Sequence, residues 1–274
     1  MAQIPVSEKT ETAARLSGLE KLALLIPAIA GFVFGLGPLL GARFFAQFIG
    51  YTGTTNDSII YWLAGAATLG YGITIAIGIR EGAWIGMRLP VAAVLVFNLC
   101  SLFGCEEEIR LGRANAHLFV YLILGASVAL CVISGLILWR HRGAPRGEAD
   151  TARWLTIFLV IAIIAAFSAG LLALFFPEQF KPIFGLDAQD VFIYRQLGAA
   201  TTGYGIMGIL QIRSHRWSEL RLSLIMAAIF NVLAVGIGAT ALLSGSPPRL
   251  PITMLITPMV AGVGCIVAIV RKGE

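Results

Sequence analysis

Six polar residues fall inside long apolar stretches, and their side chains have the chemistry to bind a ligand. They are Arg195, Gln196, Thr202, Tyr204, Asn98 and Asn231. A polar group surrounded by hydrocarbon needs a partner, so such a residue either serves a binding site or joins two helices. A guanidinium beside an amide and hydroxyls can hold an anionic head group or a small anion. Whether these residues bind a ligand or another helix depends on the elements that carry them.

Three roles are open for Arg195. A charge near the end of a span is costly unless it reaches water, binds a ligand or pairs with an opposite charge. Its side chain can extend outward to the membrane surface, bind an anion, or pair with an acid. The candidate acids are Asp187, Asp190 and the acidic run 106–108. We predict that the run itself is a solvated loop with internal ion pairs rather than a cation site.

Motifs for catalysis or cofactor binding are missing from the sequence. There is no HExxH, GxSxG or Walker pattern, and no dinucleotide-binding glycine pattern in a suitable context. His117, His141 and His215 are predicted to lie outside the bilayer core, where they cannot bracket a haem. The sequence therefore indicates no catalytic residue, no metal site and no cofactor.

The elements that carry these residues occur twice. The segment YWLAGAATLGYGI at 61–73 returns as YRQLGAATTGYGI at 194–206, an offset of 133 residues. The same offset relates Arg80, Trp84, Arg88 and Asn98 to Arg213, Trp217, Arg221 and Asn231. Chance does not preserve one offset across glycines, aromatic residues and arginines, so the chain is interpreted as a tandem duplication.

Composition indicates a membrane protein. Of the 274 residues, 58% are hydrophobic and 13% are charged, whereas roughly 25% of residues are charged in a soluble domain. Mean hydropathy is +0.85 and the formal charge is +5. The basic residues lie in short segments between apolar runs, so membrane topology explains them better than nucleic-acid binding.

The apolar runs predict eight helices. Their approximate bounds are 22–40, 58–79, 83–104, 116–138, 154–176, 190–212, 219–243 and 251–270. We divide the chain into an N-terminal segment (1–21), a first repeat (22–140), a linker (141–152) and a second repeat (153–271). Four spans are an even number, so both repeats enter the membrane in the same direction. The expected fold is an all-α integral membrane protein with eight transmembrane helices arranged as two parallel four-helix repeats.

Basic residues predict the orientation of the chain. Of the 20 lysines and arginines, all but Arg43, Arg110, Arg113, Lys181, Arg195 and Arg249 fall on the side of the two termini. By the positive-inside rule both termini are cytoplasmic, and we expect a bacterial plasma membrane. Arg80, Trp84 and Arg88 form the turn between helices 2 and 3 and are interpreted as interfacial anchors.

The sequences TLGYG at 68–72 and TTGYG at 201–205 look like the selectivity filter of a potassium channel. A filter is extended backbone that follows a pore helix, whereas these motifs lie in the middle of a predicted span. Their small residues recur at helical spacing, as in Ala66 with Gly70 and Thr68 with Gly72, which lets helices approach closely. We therefore interpret them as packing motifs.

One half of the chain resembles the DoxX-like group of four-helix membrane proteins. The resemblance depends on RQLGAATTGYG at 195–205, the basic turn 213–217 and the following Arg221-Leu222. Helix 2 carries the same glycines but has Trp62 in place of the arginine. Because that group is functionally mixed, the resemblance implies a four-helix unit and no particular activity.

Three functional hypotheses remain open at this point. The first is a non-catalytic subunit or scaffold that packs against lipids, other membrane subunits or a second copy of the chain. The second is a carrier of small molecules or anions, with a site between the repeats near Arg195, Gln196, Thr202 and Tyr204. The third is a membrane enzyme. Asn98 and Asn231 are expected to form hydrogen bonds between helices, or alternatively to serve function.

Overall fold

The computed structural model describes residues 15–48, 55–112, 117–143, 152–186, 191–214 and 216–271. These residues form nine helices: α1 Gly18–Phe48, α2 Thr55–Glu81, α3 Trp84–Arg110, α4 His117–Arg140, α5 Arg153–Phe175, α6 Pro177–Phe184, α7 Val191–Ser214, α8 Trp217–Leu243 and α9 Arg249–Val270. The described part of the chain contains no strand, only an isolated bridge between Arg15 and Ala83. The prediction of an all-α fold is confirmed.

Seven of the described helices, all except α6 and α7, are long and apolar enough to cross a membrane. Helices α1, α4, α5 and α9 present large apolar side chains outward, such as Leu40, Trp139, Ile164 and Val263. An apolar surface of this extent is rarely left open to water, and it suits lipid chains. The fold is therefore that of an integral membrane protein.

Helix α7 has the length of a span but a different composition. Its 24 residues extend about 36 Å at 1.5 Å per residue, against a hydrocarbon core of about 30 Å. Small and polar residues lower its hydropathy, and most of its residues are buried inside the bundle. Other helices surround α7, so most of its side chains contact protein.

The two halves of the chain are interleaved at the centre of the bundle. Helix α1 packs on α2 and α3 on α4, while α5 packs on α7 and α8 on α9. The central helices cross between the halves, because α3 packs mainly on α7 and α2 on α8. Within each half, α2 contacts α3 only sparsely, and α7 contacts α8 only sparsely. Neither half therefore completes its own core.

Several helix bounds differ from the prediction. Helix α1 begins at Gly18 and ends at Phe48, so Pro27 and Pro38 lie in its interior, and its helical geometry is interrupted at Gly41. Membrane helices tolerate internal proline where neighbouring groups satisfy the freed carbonyls. The short helix α6 was not predicted. It starts with a proline, which suits the first turn of a helix, and ends at a glycine with positive φ.

Both glycine motifs lie in unbroken helices, residues 68–72 in α2 and 201–205 in α7. A selectivity filter is therefore excluded and the packing interpretation is confirmed. The glycines permit close approach of backbones: a Cβ built on Gly72 would lie 2.9 Å from the backbone nitrogen of Phe32. Likewise, a Cβ on Gly203 would lie 3.0 Å from the carbonyl oxygen of Ala93.

Glu20, in the first turn of α1, connects this helix to the end of α4 and the start of α3. The N–H of Ser17 donates to the carboxylate of Glu20 (2.7 Å), and the N–H of Glu20 donates to Ser17 Oγ (3.3 Å), which is a capping box. Glu20 also contacts Nε2 of His141 (3.0 Å), whose ring stacks on Trp84 at 4.4 Å between centroids. Trp84 is fully buried, so its interpretation as an interfacial anchor is wrong; the ring of His141 covers it.

Candidate functional site

Four aromatic residues occupy the centre of the bundle, and we call them the aromatic quartet: Tyr71, Phe97, Tyr204 and Phe230. The ring centroids of Tyr71 and Tyr204 are 5.0 Å apart. Each tyrosine also packs on the phenylalanine of its own half, at 5.3 Å for Phe97 and 5.2 Å for Phe230. The space between the halves at this level is therefore filled by side chains.

The two tyrosine hydroxyls form matching hydrogen bonds across the quartet. Tyr71 donates to the carbonyl of Ala200 (2.9 Å), and Tyr204 donates to the carbonyl of Ala67 (3.0 Å). Tyr71 corresponds to Tyr204 at the offset of the sequence repeat, and Ala67 corresponds to Ala200. Each half therefore donates the same hydrogen bond to the other half. Both hydroxyls have partners, so Tyr204 serves packing between the halves through its hydroxyl.

Arg195 is buried where α7 meets the last turns of α3. Its guanidinium pairs with the carboxylate of Glu108, and the carboxylate of Glu107 lies 3.7 Å away. Only 6% of Arg195 and 1% of Glu108 are exposed. The side chain does not extend to the surface, so that alternative is wrong and pairing with an acid is what the structure contains. Asp187 and Asp190 lie outside the described residues.

The acidic run 106–108 was predicted to be a loop, and this prediction is wrong because α3 continues to Arg110. Glu106 is exposed, and Glu107 pairs with Arg110 at 2.9 Å. Glu108 points into the bundle toward Arg195. The last turn of α3 thus supplies the buried acidic partner of Arg195.

A second polar contact joins α3 to α7. Ser101 Oγ donates to Oε1 of Gln196 (2.7 Å), and Ser127 Oγ of α4 donates to Ser101 Oγ (3.1 Å). We call these three residues the polar chain. Sequence reasoning identified Gln196 but missed both serines.

The corresponding interface between α2 and α8 is apolar. The residues at the repeat offset are Trp62 for Arg195, Leu63 for Gln196, Ala234 for Ser101 and Ala241 for Glu108. All four belong to one hydrophobic cluster. The contacting positions therefore differ together between the two interfaces: they are polar between α3 and α7 and apolar between α2 and α8. Pairing α3 with α7 and comparing the halves at these positions would have identified Glu108 and Ser101.

The first-half cavity lies among α1, α2, α3, α4 and the start of α7 and has a volume of about 100 Å³. Apolar residues such as Phe34 and Phe119 make up most of its wall. Its polar lining residues are Thr68, Tyr71, Asn98, Ser101, Ser127 and Gln196. The polar chain therefore forms part of the wall of a cavity.

The second-half cavity lies mainly among α5, α7, α8 and α9 and has a volume of about 430 Å³. Phe180 and Phe184 of α6 also line it. Four of its lining residues correspond to lining residues of the first-half cavity, 133 positions earlier in the chain. They are Thr201, Tyr204, Phe230 and Asn231, which correspond to Thr68, Tyr71, Phe97 and Asn98. Each half thus holds a cavity at the same place in its four helices.

The two asparagines line these cavities, and the predicted hydrogen bonds between helices are wrong. Nδ2 of Asn98 donates to the carbonyl of Val94 (2.8 Å), and Nδ2 of Asn231 donates to that of Ala227 (2.7 Å). Each amide faces a cavity rather than a neighbouring helix, so the carbonyl one turn back is its available acceptor.

The six residues selected from the sequence do not meet at one site between the halves. Asn98 and Gln196 line the first-half cavity, Tyr204 and Asn231 line the second-half cavity, and Arg195 and Thr202 line neither. Thr202 is buried against Gly170 of α5. The cavities therefore divide the predicted site into two places.

Ion pairs at the opposite end of the bundle also connect the halves. Arg88 lies 3.9 Å from Glu219, and Arg221 pairs with Glu81. Arg88 and Arg221 are repeat counterparts, and each contacts an acid of the other half. Both ion pairs therefore connect one half to the other, and the arginines belong to the basic end of the bundle.

Among the described residues, no group of three His, Cys, Asp or Glu side chains is placed to hold a metal ion. His215 and the side chain of His117 lie outside the described residues. Comparison of the chain with protein-family models, curated proteins and solved structures finds no match. The cavities and the interfaces of the two halves are therefore the basis for a functional proposal.

Proposed function

We propose that the chain is an eight-span membrane protein built from two parallel four-helix repeats, with α7 as a central span. The support is the set of contacts that recur at the repeat offset. These include the two tyrosine hydrogen bonds, the asparagine bonds within α3 and α8, and the lining of the two cavities. The resemblance to DoxX-like proteins agrees with a four-helix unit and stays an expectation.

Both termini are expected in the cytoplasm, because most basic residues fall on their side. Reporter fusions at Glu274 and after Arg146 should both report cytoplasm, and a fusion after Arg110 should report the opposite side. The Glu274 fusion tests α7 directly, because omitting one span would reverse the reported side. An extracytoplasmic C-terminus would contradict either the eight spans or the orientation.

The function that we propose is non-catalytic binding of lipid-soluble small molecules in the cavities of the two repeats. The observation that carries the proposal is that each half holds a cavity at the equivalent position, lined by equivalent Thr, Tyr, Phe and Asn residues. Concave, mostly apolar sites with a few polar groups are the usual form of small-molecule sites. This proposal moves the carrier hypothesis from one site between the halves to one site within each.

A ligand series tests this function. Saturating dodecane should raise the unfolding temperature of the protein in phospholipid nanodiscs, since a ligand at a hundredfold excess over Kd stabilises by about 2.7 kcal/mol. Filling the second-half cavity by Ala227→Leu should reduce that shift. The matched control is Ala129→Leu, which adds the same side chain at an exposed position of α4 outside both cavities. If the wild type and both variants show equal shifts, dodecane acts through the bilayer and the proposal is contradicted.

The subunit or scaffold hypothesis remains a hypothesis. The exposed apolar faces of α1, α4, α5 and α9 suit a neighbouring membrane subunit and a lipid bilayer equally well. They therefore do not favour one partner over the other.

A further inference from the structure

The second-half cavity is a long groove that follows α7. Its lining residues on this helix extend from Leu197 to Gln211, a distance of about 21 Å at 1.5 Å per residue. On α9 the lining extends from Leu250 to Cys265. The hydrocarbon core of a membrane is about 30 Å thick. The groove is therefore elongated in the direction of the spans and covers most of the depth of the core.

The groove is open to the side, between α5 and α9. These two helices contact each other only slightly. Ile161 of α5 and both Ile256 and Val260 of α9 line the cavity and are also 59–61% exposed. A residue that lines a cavity and is itself exposed lies at the mouth of that cavity. The mouth therefore belongs to the apolar outer surface of the bundle, which suits lipid chains.

Phenylalanine side chains narrow both ends of the groove. At one end the ring of Phe158 lies against Gly264, since a Cβ built on Gly264 would be 2.2 Å from Cε2 of that ring. This contact joins α5 to α9. At the other end α6 contacts α5, α7 and α9, and its Phe180 and Phe184 line the cavity. A guest therefore enters through the mouth rather than along the axis of the groove.

The polar side chains of the lining make hydrogen bonds within the protein. Thr201, Asn231 and Thr253 each donate to the carbonyl one turn back in the same helix. Gln211 donates to Oγ of Ser223 (2.7 Å), and the lining tyrosine belongs to the aromatic quartet, where its hydroxyl has a partner. Among the described residues, no acidic or basic side chain lines the groove. The groove therefore suits an uncharged, apolar guest.

The lining of the two cavities also recurs on the outer helices. Lining residues 27, 30, 31 and 34 of α1 recur as 162, 165, 166 and 169 of α5, and 119, 123, 126 and 127 of α4 recur as 253, 257, 260 and 261 of α9. Phe34 therefore corresponds to Ala169, and Phe119 corresponds to Thr253. The rings of Phe34 and Phe119 pack at 6.2 Å between centroids and connect α1 to α4. Ala169 and Thr253 are short and exposed, so they leave the gap between α5 and α9 open.

The dimensions of the groove match one unbranched hydrocarbon chain. Its volume of about 430 Å³ is almost three times that of a cavity of about 150 Å³ that holds benzene, which corresponds to about 16–18 carbons. Carbon–carbon bonds of about 1.5 Å give an extended chain of this size a length of about 20 Å. The first-half cavity, at about 100 Å³, is too small to enclose the same chain.

We propose that the second-half cavity binds one unbranched, uncharged hydrocarbon chain of about 16–18 carbons, which enters from the lipid between α5 and α9. This inference deepens the proposed function and depends on it, because it names the class of ligand and assigns it to one of the two cavities. Ala169 and Thr253 keep the mouth open, whereas Phe34 and Phe119 obstruct the corresponding gap of the first half.

The test compares n-hexadecane with dodecane and with isocetane, the branched isomer of hexadecane, on the protein in nanodiscs. In the wild type, hexadecane should raise the unfolding temperature more than either other compound does. The double variant Ala169→Phe with Thr253→Phe installs the phenylalanines of the first half and should lose the hexadecane shift. Ile164→Phe with Val263→Phe is the matched control, because both positions are exposed on the same two helices and lie outside the lining. This control should keep the hexadecane shift of the wild type.

The outcomes separate this inference from the proposed function. If no compound shifts the unfolding temperature, the proposed function fails and this inference fails with it. If dodecane stabilises the protein but hexadecane stabilises it no more than isocetane does, only the selection of an unbranched chain fails. A hexadecane shift that persists undiminished in Ala169→Phe with Thr253→Phe overturns the assignment to the groove.

Native mass spectrometry tests for a phospholipid as the alternative occupant. Wild-type protein released from nanodiscs should retain no phospholipid that the double variant Ala169→Phe with Thr253→Phe lacks. A phospholipid that the wild type retains and this variant loses would show that a lipid chain fills the groove, which would overturn the uncharged occupant. Should the double variant not fold, Ala169→Phe alone replaces it and should reduce the hexadecane shift.

Discussion

Arg195→Gln is expected to lower the stability of the protein severely, because it removes the buried guanidinium that pairs with the carboxylate of Glu108. Removing one partner of a buried ion pair costs about 3–5 kcal/mol. Glu108 is 1% exposed and cannot be hydrated where it lies. The unfolding temperature in nanodiscs is the measurement. Arg110→Gln is the matched control: it removes an arginine from the exposed pair with Glu107 and should change little.

The residues at the corresponding positions of the first half suggest a second variant for this experiment. Trp62 and Ala241 hold the positions that correspond to Arg195 and Glu108. The double variant Arg195→Trp with Glu108→Ala should therefore recover most of the lost stability, since well-packed apolar residues can replace a buried pair at little cost. A single variant as stable as the wild type would show that Arg195 is not a structural partner. A double variant no better than Arg195→Gln would contradict the equivalence of the two interfaces.

Gly198→Val is expected to prevent folding of the second half. A Cβ at this position would lie 2.6 Å from the carbonyl oxygen of Gly170 and 2.8 Å from Cα of Leu174, and neither backbone atom can move without displacing α5. Overpacking of a core costs about 1–3 kcal/mol, and more where the backbone must move. The expected result is loss of monodisperse protein after extraction.

Gly125→Val is the control for this variant. Nothing lies within 4 Å of a Cβ built on Gly125, an exposed position of α4. The same substitution should therefore leave the yield and unfolding temperature near those of the wild type. Normal folding of Gly198→Val would contradict the close packing of α5 against α7.

The sequence predicts the helices well because each is encoded locally. Runs of about 20 apolar residues identify the outer helices, and the recurrence of the segment 61–73 at 194–206 points to α7 despite its low hydropathy. The last turns of α3 could not be predicted in this way. Glu106, Glu107 and Glu108 look like a solvated loop until the partner of Glu108 is known, and that partner is 87 residues away.

The candidate site could be predicted only in part, for the same reason. Asn98 and Gln196 stand out as polar residues in apolar runs. Their assignment to one cavity depends on α7 packing against α3 of the other half, which no local pattern encodes. Comparing the halves identifies Gln196 as a difference, but Ser101 becomes informative only once it contacts Gln196.

The interleaving of the halves also determines the order in which the protein can be built. Glu108 leaves the ribosome 87 residues before Arg195, and Tyr71 leaves it 129 residues before its acceptor Ala200. At about 5–20 residues per second, Glu108 therefore waits roughly 4–17 s for its partner. During that interval the first half lacks the contacts that α7 and α8 make with α3 and α2, so the faces of α2 and α3 that these helices cover in the folded protein are still open.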